Sequence, residues 1–363
     1  MSFNHANAKF FCLLLISLLL QGCERSTPED ILENYQYRIS NVLEIEQRDN
    51  YQIPIRPLFP LRRQLKMPTV EIREGLFDLL KLKECRLLPL IAERNSSLGK
   101  VYLPSQKMSY ELRFIHTLKT CSEKLSTATE ENRKHQQLVN EILQIKQRNL
   151  PAELWNGIFT SKEIEVNFSR NKDPLSLQND AEVMASIAAI QKLTAIVRTP
   201  LVKKDWPLPP ELSQIESFNE VLFINQSGSK VLSSIQLMTI HLDQASDTLE
   251  QGMQKQKLCT NNNVSNKAKI MKNIFYKFYI GEVQPYLASV HKSGDEWLQA
   301  SNHLINSFKE YELTLPIELE TYQRMVLSKT NETSVWGRYI KARNKHTQAW
   351  QKLLKQCGMM PSG

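Results

Sequence analysis

The densest group of side chains able to do chemistry lies between residues 93 and 113. Glu93-Arg94-Asn95-Ser96-Ser97-Leu98-Gly99-Lys100 is followed by Ser105 and then by Tyr110-Glu111-Leu112-Arg113-Phe114. Glu93 and Glu111 are the carboxylates that general acid–base chemistry on a cell-wall or lipid substrate would use. Ser97 and Lys100 have the Ser-x-x-Lys spacing in which a lysine activates a serine. The same spacing begins at Ser169, Ser227 and Ser289, but Lys329-Thr330 is followed by Asn331, so no Lys-Thr-Gly partner exists. His-Glu-x-x-His, Gly-x-Ser-x-Gly and the glycine-rich phosphate loops are absent. His116, His241, His291, His303 and His346 have no Asp, Glu, Cys or His at ligand spacing, which reads as structural histidines and no metal site. No cofactor is expected.

The same residues also have an architectural reading. If the chain reverses near Leu98–Met108, antiparallel register sets Cys85 opposite Cys121, Glu93 opposite Arg113 and Arg94 opposite Glu111. That is a disulfide-stapled hairpin with crossed ion pairs. Its tip, from Ser96 to Ser105, offers hydroxyls, Gly99 and the Lys100 cation, as exposed recognition loops do.

At the N-terminus, Lys9 precedes an apolar run from Phe10 to Leu20, broken by Ser17 and followed by Leu20-Gln21-Gly22-Cys23. At about 1.5 Å per residue the run spans about half of a bilayer core, so it reads as a secretory h-region. The ending resembles a bacterial lipobox, which implies cleavage after Gly22 and acylation of Cys23. Glu24 stands where Asp would signal inner-membrane retention. The expected location is therefore the periplasmic face of the outer membrane, with the inner membrane as the alternative.

Glycine accounts for 11 of 363 residues, too few for the tight turns of a sandwich or barrel. Hydrophobic content of 41% and charge of 23% exclude wholesale disorder and a polytopic membrane protein. The expected class is all-α: an elongated multi-helix bundle with two proline-rich connectors and two disulfides. Without residues 1–22, and so without Lys9, 45 basic and 38 acidic residues leave a net of +7. That bias points to no nucleic acid and suits anionic lipid or cell-wall polymer, with an envelope protein as a further partner class.

Boundaries follow from caps and prolines. A first helix is expected from Pro28 to about Arg48 within a segment 23–50. A connector at 51–70 carries Pro54, Pro57, Pro60 and Pro68 with Arg56, Arg62, Arg63 and Lys66 and no acidic residue, so it is expected to lie over the surface against anionic headgroups. Helices at about 71–83, 89–97, 105–120, 127–148 and 180–198, with a short one at 151–158, fill an N-terminal region 71–198. A second connector, 199–211, holds Lys203, Lys204 and Trp206. A C-terminal bundle at 212–357 has helices at about 211–225, 230–257, 266–308 and 332–356, and residues 358–363 form a tail. Pro285 should kink the third of these helices, and Phe275–Ile280 should be buried. In an up-down-up arrangement the first and last long helices end together, which pairs Cys259 with Cys357.

The lipobox-like start, the basic connector, the E-R-N-S-S-L-G-K stretch and Y-E-L-R-F together resemble a family of gammaproteobacterial lipoproteins known only as a domain of unknown function. The resemblance implies a lipid-anchored envelope protein and supplies no catalytic residues. Non-enzymatic binding or scaffolding in the envelope is therefore the expected role. An enzyme using Glu93 and Glu111, or a carrier of an apolar ligand, are the alternatives. Convergence of Glu93 and Glu111 in a cleft would favour the enzyme, an enclosed apolar cavity the carrier, and paired surface charges the scaffold.

Overall fold

The computed structural model describes residues 26–47, 54–72, 85–125, 130–170, 172–178, 180–202, 207–260 and 263–360. The leader, Cys23, most of the helix expected at 71–83, and Lys203, Lys204 and Trp206 lie outside the described residues.

Helix α1, Pro28–Leu43, starts at a reciprocal cap. The Asp30 N–H donates to Thr27 Oγ1 at 3.1 Å, and the Thr27 N–H donates to Asp30 Oδ2 at 2.7 Å. It buries Ile31, Leu32, Tyr35, Ile39 and Leu43. It stops short of Arg48 because Glu44 takes a left-handed conformation, φ 54°, which closes the helix from its C-cap.

The connector that follows is a surface strap anchored in the core at a few positions. Residues 54–60 form neither helix nor strand, and α2 is a single turn, Arg62–Leu65. Arg56, Phe59, Leu65 and Met67 are buried. Most other residues of 54–70 are exposed, so the segment lies over the surface and is pinned to the core at these positions.

Next come α3, Leu88–Asn95, and α4, Pro104–Lys124. Helix α5, Glu130–Phe159, runs unbroken through Pro151, where a separate short helix was expected. A proline inside a helix costs about 3 kcal/mol. Burial of Leu150, Leu154, Trp155, Ile158 and Phe159 around it offsets that cost. Helices α6, Lys162–Asn167, and α7, Asp180–Val202, lead to α8, Ile215–Asn225, and α9, Ser227–Lys255.

A two-residue antiparallel ladder, Cys259–Thr260 with Asn263–Val264, turns the chain. One helical rod then comprises α10, Asn266–Ile274, a π-helical stretch, Phe275–Val283, and α11, Gln284–Lys309. The π stretch ends where Pro285 would crowd the preceding turn of an α-helix. There the Gln284 N–H donates to the Tyr279 carbonyl, five residues back. The segment is also less buried than its composition suggests, since Tyr276 and Ile280 reach solvent. Helices α12, Ile317–Val326, and α13, Val335–Gln356, complete the chain.

Helices α9 and α13 pack side by side. Cys259–Cys357 joins their ends with a separation of 98, and Lys345 Nζ reaches Asp247 Oδ1 at 2.5 Å with the same separation. A constant offset is what parallel helices in register produce, so the expected topology holds. The interior is filled by Trp155, Trp297, Trp336 and Trp350, all fully buried. The main core draws on residues from Ile31 to Met359. A second, smaller core under the hairpin joins Leu87, Ile91, Tyr110, Phe114, Leu118, Val139 and Ile142 around Cys85–Cys121.

Candidate functional site

Helix α4 is apolar on two faces. Met108, Leu112 and Ile115 enter the main core, while Tyr110, Phe114, Leu118 and Cys121 enter the smaller one. Between them, α4 meets α5 along an antiparallel seam of polar pairs. Lys107 Nζ meets Glu153 Oε1 at 2.9 Å, and Lys146 Nζ meets Glu111 Oε2 at 2.7 Å. Further along, Ser122 Oγ donates to Asn140 Oδ1 at 2.6 Å.

A cleft of about 350 Å³ opens over this seam, a volume typical of small-ligand sites. Thr69, Val70, Glu71 and Ile72 of the strap line it, as do Arg94, Asn95 and Lys100 of the hairpin. Lys107, Tyr110 and Glu111 of α4 and Lys146 and Glu153 of α5 complete the polar lining. The strap wall is set by Asn149, whose Oδ1 accepts from the Val70 N–H at 3.0 Å while its Nδ2 donates to the Val70 carbonyl at 2.7 Å.

Glu111 and Glu153 are both buried. Glu111 is neutralised by Lys146, and Glu153 spends Oε1 on Lys107. Glu153 Oε2 is buried with no hydrogen-bond partner among the described residues. A buried acceptor left open costs free energy until a donor reaches it. Burial, followed by the Glu111 charge, pushes the Tyr110 phenol well up, so it stays neutral and able to donate.

The hairpin register is borne out for Cys85–Cys121, with Cα atoms 4.8 Å apart, and for Glu93 with Arg113. Arg113 grips Glu93 with both terminal nitrogens, at 3.0 and 2.6 Å, and Tyr102 Oη donates to Glu93 Oε1 at 2.6 Å. The Arg113 hydrogen bond chiefly holds the Glu93 carboxyl below its ordinary value. The expected Arg94–Glu111 pair does not form. Arg94 turns back to donate to the Gly99 carbonyl, and Glu111 faces α5 and takes Lys146. Glu93 and Glu111 therefore do not converge, and Glu93 does not line the cleft.

The remaining hairpin residues divide between tip and stem. Ser96 Oγ donates to the Glu93 carbonyl at 2.7 Å and accepts from the Gly99 N–H at 3.0 Å. Asn95 Nδ2 donates to the Ile91 carbonyl at 2.9 Å. Ser97 is exposed away from the cleft lining. Ser105 Oγ donates to Glu216 Oε1 at 2.8 Å, tying the hairpin to α8. Gly99 is required by close approach, because a Cβ there would collide with the Glu93 and Arg94 carbonyls.

Lys107, Lys146, Glu153 and the strap residues escaped the sequence reading. Lys146, Glu153 and the strap residues come from segments far from the hairpin, and Lys107, although within it, is marked only by its contact with Glu153 on α5. The other Ser-x-x-Lys serines at Ser169 and Ser227 are occupied, Ser169 with Ser229 and Ser227 with Ser186 and the Glu182 carbonyl. His346 and His241 are held structurally, bonded to Tyr35 and Gln36. Among the described residues no cluster of three His, Cys, Asp or Glu side chains could hold a metal ion.

Fold and site define an all-α, doubly disulfide-bonded protein with an open cleft of mixed charge. The family described as "Protein of unknown function (DUF3080)" matches residues 32–361, and the chain belongs to it. Comparison with curated proteins and with solved structures gives no match.

Proposed function

We propose that this is a non-enzymatic binding protein of the cell envelope, held at the outer membrane by acylated Cys23, and that the cleft between strap, hairpin and α5 takes its ligand. The observation that carries the reading is the charge arrangement of the cleft. Lys100 and Arg94 offer cations at its rim, and Glu153 Oε2 offers one open acceptor inside. A fitting ligand brings an anionic group and an N–H donor on one small framework. The stem peptides of cell-wall polymer carry carboxylates and amines in that way.

Acid–base chemistry by Glu93 and Glu111 finds no support in a geometry that holds them apart, each in its own ion pair. The filled, tryptophan-rich interior likewise gives the carrier reading no support. The test is calorimetric titration with purified muropeptides. Binding should weaken about tenfold or more for Lys100→Ala and for Glu153→Gln, as expected for lost hydrogen bonds to charged groups. N-acetylation of the muropeptide amine should weaken the wild type and leave Glu153→Gln little changed. Equal affinity across these proteins would rule the cleft out as the site.

A further inference from the structure

The strap has a second side. Along residues 54–61, exposed aliphatic side chains recur at every third position. Arg56, Phe59 and Pro60 are buried, while Pro57 is partly buried and Pro54 exposed. Ile55, Leu58 and Leu61, three residues apart, have 80%, 64% and 54% of their surfaces exposed. Three aliphatic side chains in a short row, each mostly in water, are unusual on a surface.

The row cannot turn inward. Arg56 donates to the Ser169 carbonyl at 2.5 Å, and Arg170 donates to the Arg56 carbonyl at 3.0 Å. Phe59 stacks on Phe168 at 4.9 Å and meets Tyr322 edge-on at 5.3 Å. Burial of Arg56 removes it from the set of headgroup-facing cations that the sequence suggested. Three remain directly after the row: Arg62, Arg63 and Lys66 are all exposed and make no ion pair among the described residues, and exposed Arg170 lies against the strap.

We propose that residues 55–66 form a non-covalent contact with an anionic lipid surface, in which Ile55, Leu58 and Leu61 enter the interface and Arg62, Arg63 and Lys66 meet headgroup phosphates. Charge selects this occupant, because clustered unpaired cations beside an apolar row are what anionic membranes attract. This contact is independent of the cleft and of Cys23. It would hold the protein in one orientation against the membrane.

The experiment uses a chain starting at Glu24, which keeps every described contact, and vesicles of phosphatidylcholine with or without phosphatidylglycerol. Sedimentation should show binding to the phosphatidylglycerol vesicles. Replacing Arg62, Arg63 and Lys66 by Gln should weaken it about fivefold per charge at low salt, with the difference shrinking as salt screens exposed charges. Replacing Ile55, Leu58 and Leu61 by Ser should abolish the part that survives high salt. Both triple variants should melt like the wild type, since all six side chains are exposed. Binding unchanged by either variant, or equal binding to both vesicle types, would overturn the proposal. So would a shift of the serine variant from dimer to monomer on gel filtration, which would assign the row to a second copy of this chain.

Discussion

Asn156 holds both backbone polar groups of Met67. Its Oδ1 accepts from the Met67 N–H at 2.8 Å, and its Nδ2 donates to the Met67 carbonyl at 2.8 Å. Asn149 treats Val70 in the same way two turns earlier on α5, and between them Trp155 Nε1 donates to the Leu65 carbonyl at 2.7 Å. One helix face thus supplies the strap with the partners a neighbouring strand would give. Replacing Asn156 by Leu leaves two backbone groups unpaired and should cost about 2–4 kcal/mol, read as a lowered urea midpoint.

The two kinds of hairpin ion pair should behave differently. Glu93 and Arg113 are half-exposed, so Arg113→Met should cost under about 1 kcal/mol. Glu111 is buried against Lys146, and Lys146→Met would strand its charge at a cost of about 3–5 kcal/mol. Denaturation curves of the two variants check the contrast.

Acid should destabilise the bundle through two histidines. Trp350 Nε1 donates to Tyr35 Oη at 2.6 Å, and Tyr35 Oη shares a 2.7 Å hydrogen bond with His346 Nε2 inside the core, where a charged ring would be desolvated. Burial pushes His346 down to about 3 and His241 down to about 4, from an ordinary 6.5. Between those values and 6.5 the unfolded chain binds protons that the folded chain refuses. The contribution is therefore complete above about pH 6.5 and is lost as pH falls, by about 1.4 kcal/mol per pH unit for each histidine. His346→Gln should lower that slope by one proton between pH 6 and 5, in stability measured across about one unit.

Non-reducing peptide maps should contain Cys85–Cys121 and Cys259–Cys357. The loops of 36 and 98 residues should each stabilise by about 4–5 kcal/mol in the chain-entropy account. Cys259→Ser with Cys357→Ser should lower the unfolding free energy on that scale.

Anchoring is tested at Cys23, which lies outside the described residues. Cys23→Ser should abolish acyl labelling and leave precursor or soluble protein. Retained labelling would sink the anchor.

The sequence by itself determined what depends on neighbours along the chain. The Thr27 cap, the helical class and the disulfide partners were all legible, because caps, periodicity and chain reversal are local or follow from simple topology. It also placed Glu93 against Arg113, since a hairpin fixes that register. It did not show that Arg94 would turn to Gly99 while Glu111 turned to Lys146. A hairpin register says which residues are opposite, whereas a third helix decides which way each side chain leaves α4. Pro151 shows the same limit, as a local break signal overridden by the burial of Trp155 and Phe159. The cleft, the open oxygen of Glu153 and the exposed row of Ile55, Leu58 and Leu61 were decided only when strap, hairpin and α5 packed together. Desolvation and exposure are properties of the assembled surface, and no spacing along the chain encodes them.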